Sequence, residues 1–435
     1  MNSEIELSAV ITDIAAGPFG SNLKVSCFVP VGFPIIDGAN LKGLKVTDNL
    51  TKFVTEEKAR SLSRSIARRG DIVVTISGTL GQIAYIPDDS LFEEYLCSQR
   101  QFKVTFNTSK VYVPYLVFYF HTREGQSKIL AFANQTGVPA LAQPTKNFKK
   151  IRLSLPPLEQ QRKIALIAEL LTSKIEANTK LNGYLAEQCE GIAEHQTGDV
   201  VALASLCGLV SERVDCREAD IATYVSTESL LPAKMGKQTA SSLPQAGKVT
   251  VYKARDTLVS NIRPYFKKIW YADRAGTCSG DVLVFRANQP EHAGYLYSCL
   301  RQDRFFDYVM KGAKGTKMPR GDKKQMLTYE IVNSPSAAAI GAIQTALEQI
   351  SIANKENDSL AALRDALLPK LMSGEIDVSE VDLTQLNSHL LEIDVTLEVL
   401  DWCIEIAVRT VVCVHVWMVS QEMRNALVKV AYELS

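Results

Sequence analysis

Two stretches of the chain carry apolar residues at helical spacing over unusual length. From Leu158 to about His195 a stripe runs through Ile164, Leu171, Asn178, Leu185 and Ile192, with Ile167, Ile175 and Leu181 beside it. Heptad spacing sustained over that distance predicts one long amphipathic helix, and Pro156-Pro157 suits its first turn. Pro335 opens a second such pattern: Ile340, Ile343, Leu347, Ile350, Asn354, then Leu360, Leu363 and Leu367. Asn178 and Asn354 lie 176 residues apart, each two or three residues after an isoleucine.

A segment of strand-like, glycine-punctuated sequence precedes each helix. In the first, Arg69-Gly70-Asp71 leads into Ile72-Val73-Val74-Thr75-Ile76, then Ser77-Gly78-Thr79-Leu80-Gly81 and Ile83-Ala84-Tyr85, which reads as a β-hairpin entered from a turn. In the second, Ala254-Arg255-Asp256 leads into Thr257-Leu258-Val259-Ser260 and on to Ile269-Trp270-Tyr271. The expected fold class is therefore α+β: two mixed α/β domains in tandem, separated by two long antiparallel coiled-coil helices. The boundaries are domain 1 at 1–155, helix 1 at 156–198, domain 2 at 199–334, helix 2 at 335–380 and an extension at 381–435.

Charge sharpens that division. The chain is neutral, with 48 basic and 48 acidic residues, which excludes a polybasic, histone-like protein. Residues 1–155 nevertheless hold 18 basic and 13 acidic side chains, and 200–334 hold 20 and 13. The intervening 156–199 hold 4 and 7, and 335–435 hold 6 and 15. Two basic domains suit two phosphate backbones, while the acidic segments suit protein or solvent. Nine scattered cysteines with no C-x-x-C spacing fit a reducing cytoplasm, and five isolated histidines give no metal site. The N-terminal MNSEIELSAV has neither the basic start nor the apolar core of a secretory signal, so a cytoplasmic location is expected. The apolar run from Ala407 to Val419 is too short for a bilayer and is broken by Arg409 and His415, so no membrane partner is expected.

Four stretches then become informative together. They are Gly17-Pro18-Phe19-Gly20-Ser21-Asn22-Leu23-Lys24; Arg69-Gly70-Asp71-Ile72-Val73-Val74; Leu155-Pro156-Pro157-Leu158-Glu159-Gln160-Gln161-Arg162-Lys163-Ile164; and Leu363 to Ile376 with Leu367-Leu368-Pro369-Lys370-Leu371-Met372-Ser373-Gly374-Glu375-Ile376. In this combination the chain, over about residues 8 to 380, resembles the DNA-specificity subunit of type I restriction-modification enzymes. The resemblance implies two target-recognition domains, each reading half of a split double-stranded DNA sequence, and two helices that hold them apart. It implies a non-catalytic chain on which two adenine methyltransferase subunits dock, with restriction and translocase subunits joining that complex. S-adenosylmethionine, ATP and Mg²⁺ would then belong to the partners, and no cofactor to this chain. The second junction, Asn333-Ser334-Pro335-Ser336-Ala337, lacks the double proline and the E-Q-Q-R segment, and the pattern usually ends near Glu380, so the extension stands outside the resemblance.

Residue chemistry suggests where DNA would be held. Backbone donors and cations fix register on phosphates, whereas bidentate polar side chains read base edges. In domain 1 the candidates are Ser21, Asn22 and Lys24 in the glycine loop, Gln99 and Arg100, and Gln135, Thr136, Gln143 and Lys146 in the polar loop before the junction. In domain 2 they are Arg263, Tyr265, Lys267 and Lys268, followed by Lys311, Lys314, Lys317, Arg320 and Lys323. Partner-binding residues are expected along the helix stripes at Ile164, Leu171, Asn178, Leu185, Ile340, Leu347 and Asn354, with Asn178 and Asn354 fixing register by pairing with each other or with a partner. About 38 helical residues would give a ruler of roughly 57 Å between half-sites.

No G-x-x-x-x-G-K-[ST] loop, no N-P-P-Y-like tetrapeptide and no hydrolytic triad spacing is present, so no catalytic residue is expected. Two other readings stay open on sequence: a specificity subunit whose cleavage and methylation partner is a single fused chain, and a coiled-coil scaffold without DNA specificity.

Overall fold

The computed structural model describes residues 4–134 and 139–379. Within these the chain divides into two compact units, one formed by residues up to 175 together with those from 359 onward, the other by 176–358. Each long helix therefore contributes one end to each unit.

In the first unit β1 (Glu4–Glu6) pairs with β6 (Arg152–Ser154). A four-stranded antiparallel sheet is built from β2 (Ile11–Ala16), β3 (Ile72–Thr75), β4 (Ile83–Tyr85) and β5 (Gln101–Phe106) in the order β2-β5-β3-β4. Its register sets Val104 opposite Ile72 and Val74 opposite Ile83. The run Ile72-Val73-Val74 is apolar without alternation because both faces are covered. Val73 and Ala84 point into a cluster with Ile36, Tyr95 and Cys97 from an inserted second sheet. On β5, Phe102 meets Phe148, which in turn contacts Phe120, at ring separations of 5.3 and 5.4 Å. Helices α1 (Val113–His121), α2 (Arg123–Leu130) and α3 (Pro144–Lys149) follow, and then α4 (Leu158–Glu194) begins directly after the proline pair.

The second unit repeats this order. Strand β7 (Val200–Ala202) pairs with β12 (Glu330–Val332). Strands β8 (Cys207–Leu209), β9 (Thr257–Ser260), β10 (Ile269–Tyr271) and β11 (Val282–Ala287) form an antiparallel sheet in the order β8-β11-β9-β10. Helices α5 (Ala293–Arg301), α6 (Asp303–Lys311) and α7 (Lys323–Leu327) correspond to α1–α3, and α8 (Ala337–Ser373) to α4. Sheet residues again sort by parity: Leu258, Trp270 and Val284 enter one cluster, while Val259, Ile269, Leu283 and Phe285 enter the other with the α5 aromatics.

The turn before β3 and its counterpart before β9 share one device. Asp71, buried, accepts the Arg68 backbone N–H at 2.9 Å and the Thr105 hydroxyl at 2.6 Å, with Lys103 beside it. Asp256, equally buried, accepts the Lys253 N–H at 2.7 Å and a two-bonded Arg286 guanidinium at 2.8 and 2.6 Å. Gly70 holds φ +83°, and Arg255 holds +74° at the matching position.

Within the second unit α4 and α8 run antiparallel: Asn182 Nδ2 donates to Asn354 Oδ1 at 2.9 Å, and Cys189 lies against the Ile343 carbonyl nearer the other end. Asn178 donates to Glu356 at 2.8 Å and Asn357 at 2.9 Å, so the two stripe asparagines bond to other partners and not to each other. The expected partner-binding stripe is also turned inward. Ile164, Leu171, Asn178 and Leu347 are buried, and Leu185, Ile340 and Asn354 are half-buried, because an apolar stripe is what a helix hides against its own domain. On α8, Ile352 is exposed. Among the described residues, no helix is long and apolar enough to cross a membrane. The extension from 381 to 435 lies outside the described residues.

Candidate nucleic-acid interface

In the first unit three predicted segments converge on the loop that leaves β3. Gly17 N–H donates to the Gln101 carbonyl at 2.8 Å, and a Cβ on Gly17 would stand 1.8 Å from the Ser98 carbonyl oxygen, so only glycine permits this approach. Gln99 reaches over Gly20, and Ile76 N–H donates to the Arg100 carbonyl at 2.6 Å. The other side of the same loop takes the polar segment before α3: Leu141 N–H donates to the Ile76 carbonyl at 2.8 Å and Gly78 N–H to the Pro139 carbonyl at 3.1 Å. Gln126 anchors the far end through the Gly81 carbonyl at 2.9 Å. Ser21, Asn22, Lys24, Gln99, Arg100, Gln143 and Lys146 are all exposed, while Gln101 is buried and serves the loop. Gln135 and Thr136 lie outside the described residues.

The second unit joins the equivalent segments by the same bonds. Arg263 N–H donates to the Pro319 carbonyl at 2.8 Å, Gly321 N–H to the Asn261 carbonyl at 3.3 Å, and Lys314 N–H to the Arg320 carbonyl at 2.9 Å. The last matches Asn134 N–H on the Ala140 carbonyl at 2.8 Å in the first unit. The two basic clusters around Arg263 and Lys311–Lys324 thus form one surface. Its pattern has a sequence signal that spacing alone reveals: Thr136, Val138 and Pro139 against Thr316, Met318 and Pro319, each 180 residues on.

The cations of that surface are not equivalent. Lys268 Nζ donates to the Thr227 carbonyl at 2.5 Å, and burial pushes its pKa below the ordinary lysine value, so its ammonium already has an acceptor within the fold. Lys267 is held by Asp303 at 2.9 Å, and Arg263 is half-buried with its Nε unpartnered. Lys314 pairs with Asp322 at 2.9 Å and Arg320 with Asp281 at 3.2 Å, but both cations remain largely exposed. Such surface pairs are worth about 0–1 kcal/mol and yield readily to a phosphate. Among the described residues Lys311, Lys317, Lys323 and Lys324 are exposed and make no ion pair; Lys324, with Phe266 and Met318, joins the residues expected from sequence.

One family model matches part of the chain. Residues 32–185 match the type I restriction modification DNA specificity domain. That stretch is similar to a type I DNA specificity domain. The match takes in the loops at 76–81 and 98–101, the segment before α3, and α4 as far as Leu185. Solved structures are similar as well. The type I restriction-modification S subunit from M. genitalium is 14% identical with a TM-score of 0.47, covering 85% of this chain and 96% of that one. The HsdS subunit from Thermoanaerobacter tengcongensis is 16% identical with a TM-score of 0.35, covering 86% and 96%. A structure concerned with complex assembly and conformational transition of the type I system is 17% identical with a TM-score of 0.40, covering 85% and 97%. No curated protein matches the chain. Five buried cysteines are packing residues: burial pushes the thiols of Cys97, Cys189, Cys207, Cys278 and Cys299 up to about 12.

Proposed function

We propose that this chain reads a bipartite duplex sequence, one half in each unit, and confers that choice on adenine methyltransferase subunits, two per chain, and on a restriction motor. It is a DNA sequence-specificity subunit and leaves chemistry to its partners. S-adenosylmethionine serves methylation there, and ATP and Mg²⁺ serve translocation and cleavage. The observation that carries the bipartite reading is the recurrence of one hydrogen-bond pattern between the β3 or β9 loop and the segment before the next short helix. Two reading surfaces with one frame and different side chains suit two half-sites of different sequence.

The test is single-molecule methylation sequencing of DNA from cells that express this chain with its methyltransferase, against cells lacking only this chain. The expected result is a chain-dependent adenine-methylated sequence of two short halves around a fixed gap. A methylation pattern that does not change when the chain is removed refutes the reading.

A further inference from the structure

The loop after β9 presents two aromatic side chains to solvent. Tyr265 is 46% and Phe266 40% exposed, and their ring centroids lie 4.6 Å apart, so they pack on each other. Met318, next to the proline whose carbonyl receives the Arg263 N–H, is 50% exposed. Large apolar side chains grouped in this way on a basic surface mark a contact site.

The turn that carries them is held unusually firmly. Arg263 and Lys267, on either side of Pro264–Phe266, take φ +50° and +52°, a region that residues with a Cβ seldom enter. Opposite them Ala233 and Lys234 also take positive φ, at +53° and +62°. Ala233 N–H donates to the Phe266 carbonyl at 2.8 Å and Lys234 N–H to the Lys267 carbonyl at 2.9 Å. Asp303 bonds both lysines at 2.9 Å, and Glu190 holds Lys234 from the other side at 3.1 Å. In the first unit the equivalent loop is Ser77-Gly78-Thr79-Leu80-Gly81, with glycine at both left-handed positions and no aromatic residue. The second unit has a turn one residue longer, with arginine and lysine at its left-handed positions and two rings at the apex. A rigid turn with its rings aimed outward is pre-organised to insert them.

We infer that Tyr265 and Phe266 act as an apolar wedge, entering the base stack of the half-site read by the second unit while Lys311, Lys317 and Lys323 hold the adjoining phosphates. The occupant is a duplex base step because the rings sit among exposed cations, and side chains of this kind part base steps in other DNA complexes. This rests on the specificity reading above and adds how one half-site is engaged.

The experiment uses the full chain assembled with its methyltransferase and the duplex that methylation sequencing identifies, carrying 5-iodouracil or 5-iodocytosine at each pyrimidine of both half-sites in turn. Irradiation is expected to cross-link one half-site to the peptide holding residues 264–267. The double variant Y265A/F266A should lose that cross-link and bind roughly tenfold more weakly or worse, with unchanged thermal unfolding. The swap Y265F/F266Y should retain both. Binding within twofold by Y265A/F266A, with cross-links from the same half-site reaching only other peptides, overturns the wedge and leaves the specificity reading intact. Absence of any duplex selected by the chain overturns both.

Discussion

Replacing Lys311, Lys317 and Lys323 together by alanine should flatten the salt dependence of binding by a calculable amount. These three are exposed and make no ion pair among the described residues, so each is available to displace one counterion from a phosphate. Each contact contributes about 0.9 to the slope of log affinity against log salt, so the triple variant should lose about 2.7. Between 50 and 200 mM salt that difference amounts to roughly 40-fold: the wild-type complex weakens by that factor more than the variant does. Lys268 is the control, because its ammonium is already spent on the Thr227 carbonyl. K268A should leave the slope unchanged. The assay is fluorescence anisotropy of the methyltransferase complex on a labelled target duplex across that salt range. A triple variant with a slope within about 0.5 of wild type, or a K268A slope as reduced as the triple, would refute the division between free and engaged lysines.

Other outcomes follow from single contacts. D256A removes the acceptor of a buried backbone N–H and of the Arg286 guanidinium, and should lower unfolding stability in urea by roughly 2–4 kcal/mol, well beyond an exposed substitution. G17A drives a methyl into the Ser98 carbonyl and should abolish or alter recognition of one half of the methylated motif while leaving the other half's bases unchanged. N178L deletes the bonds to Glu356 and Asn357 and should cost about 1–2 kcal/mol in the same urea assay. Bonds from Lys234 and then Lys267 hold the Asp303 pKa below the ordinary aspartate value. Its contribution is therefore fully present above about pH 4 and fades as pH falls through the lowered value; D303N should remove that part of the acid-side loss in melting temperature.

Much of the frame was legible in the sequence because it rests on backbone rules. Proline precedes each long helix, β-branched runs make doubly covered strands, and the Asp71 and Asp256 turns read alike although one uses glycine and the other arginine. The long helices run over Leu158–Glu194 and Ala337–Ser373, against expected segments of 156–198 and 335–380. What the stripe could not say was which surface would cover it: Leu171 and Leu347 read equally well as a docking face, and their own domains bury them. Charge was legible only as a count. That Lys268 faces a carbonyl and that Asp322 and Asp281 answer Lys314 and Arg320 depends on residues 8 to 41 positions away, and the burial of Gln101 depends on the packing around it. The loop at Ser77–Gly81 reads in sequence only as part of a β-hairpin, and its central place emerges only when both flanking segments bond to it.

The repeat explains how one chain can hold two unlike reading surfaces. Backbone bonds define the frame in each unit: loop to segment at Gly78 and Pro139 in one, at Arg263 and Pro319 in the other. None of these bonds uses a side chain, so the exposed residues between them are free to differ without disturbing the sheet beneath. The first unit accordingly sets Gln99 and Arg100 beside a glycine turn, groups suited to base edges, whereas the second sets Tyr265 and Phe266 on a surface with Lys311, Lys317, Lys323 and Lys324, which make no ion pair among the described residues. Exchanging the apex residues of the second turn therefore should change what that half recognises without changing the first half. A variant carrying Y265A/F266A should methylate a motif relaxed on one side of the gap only; relaxation on both sides would mean that the two surfaces are not independent readers.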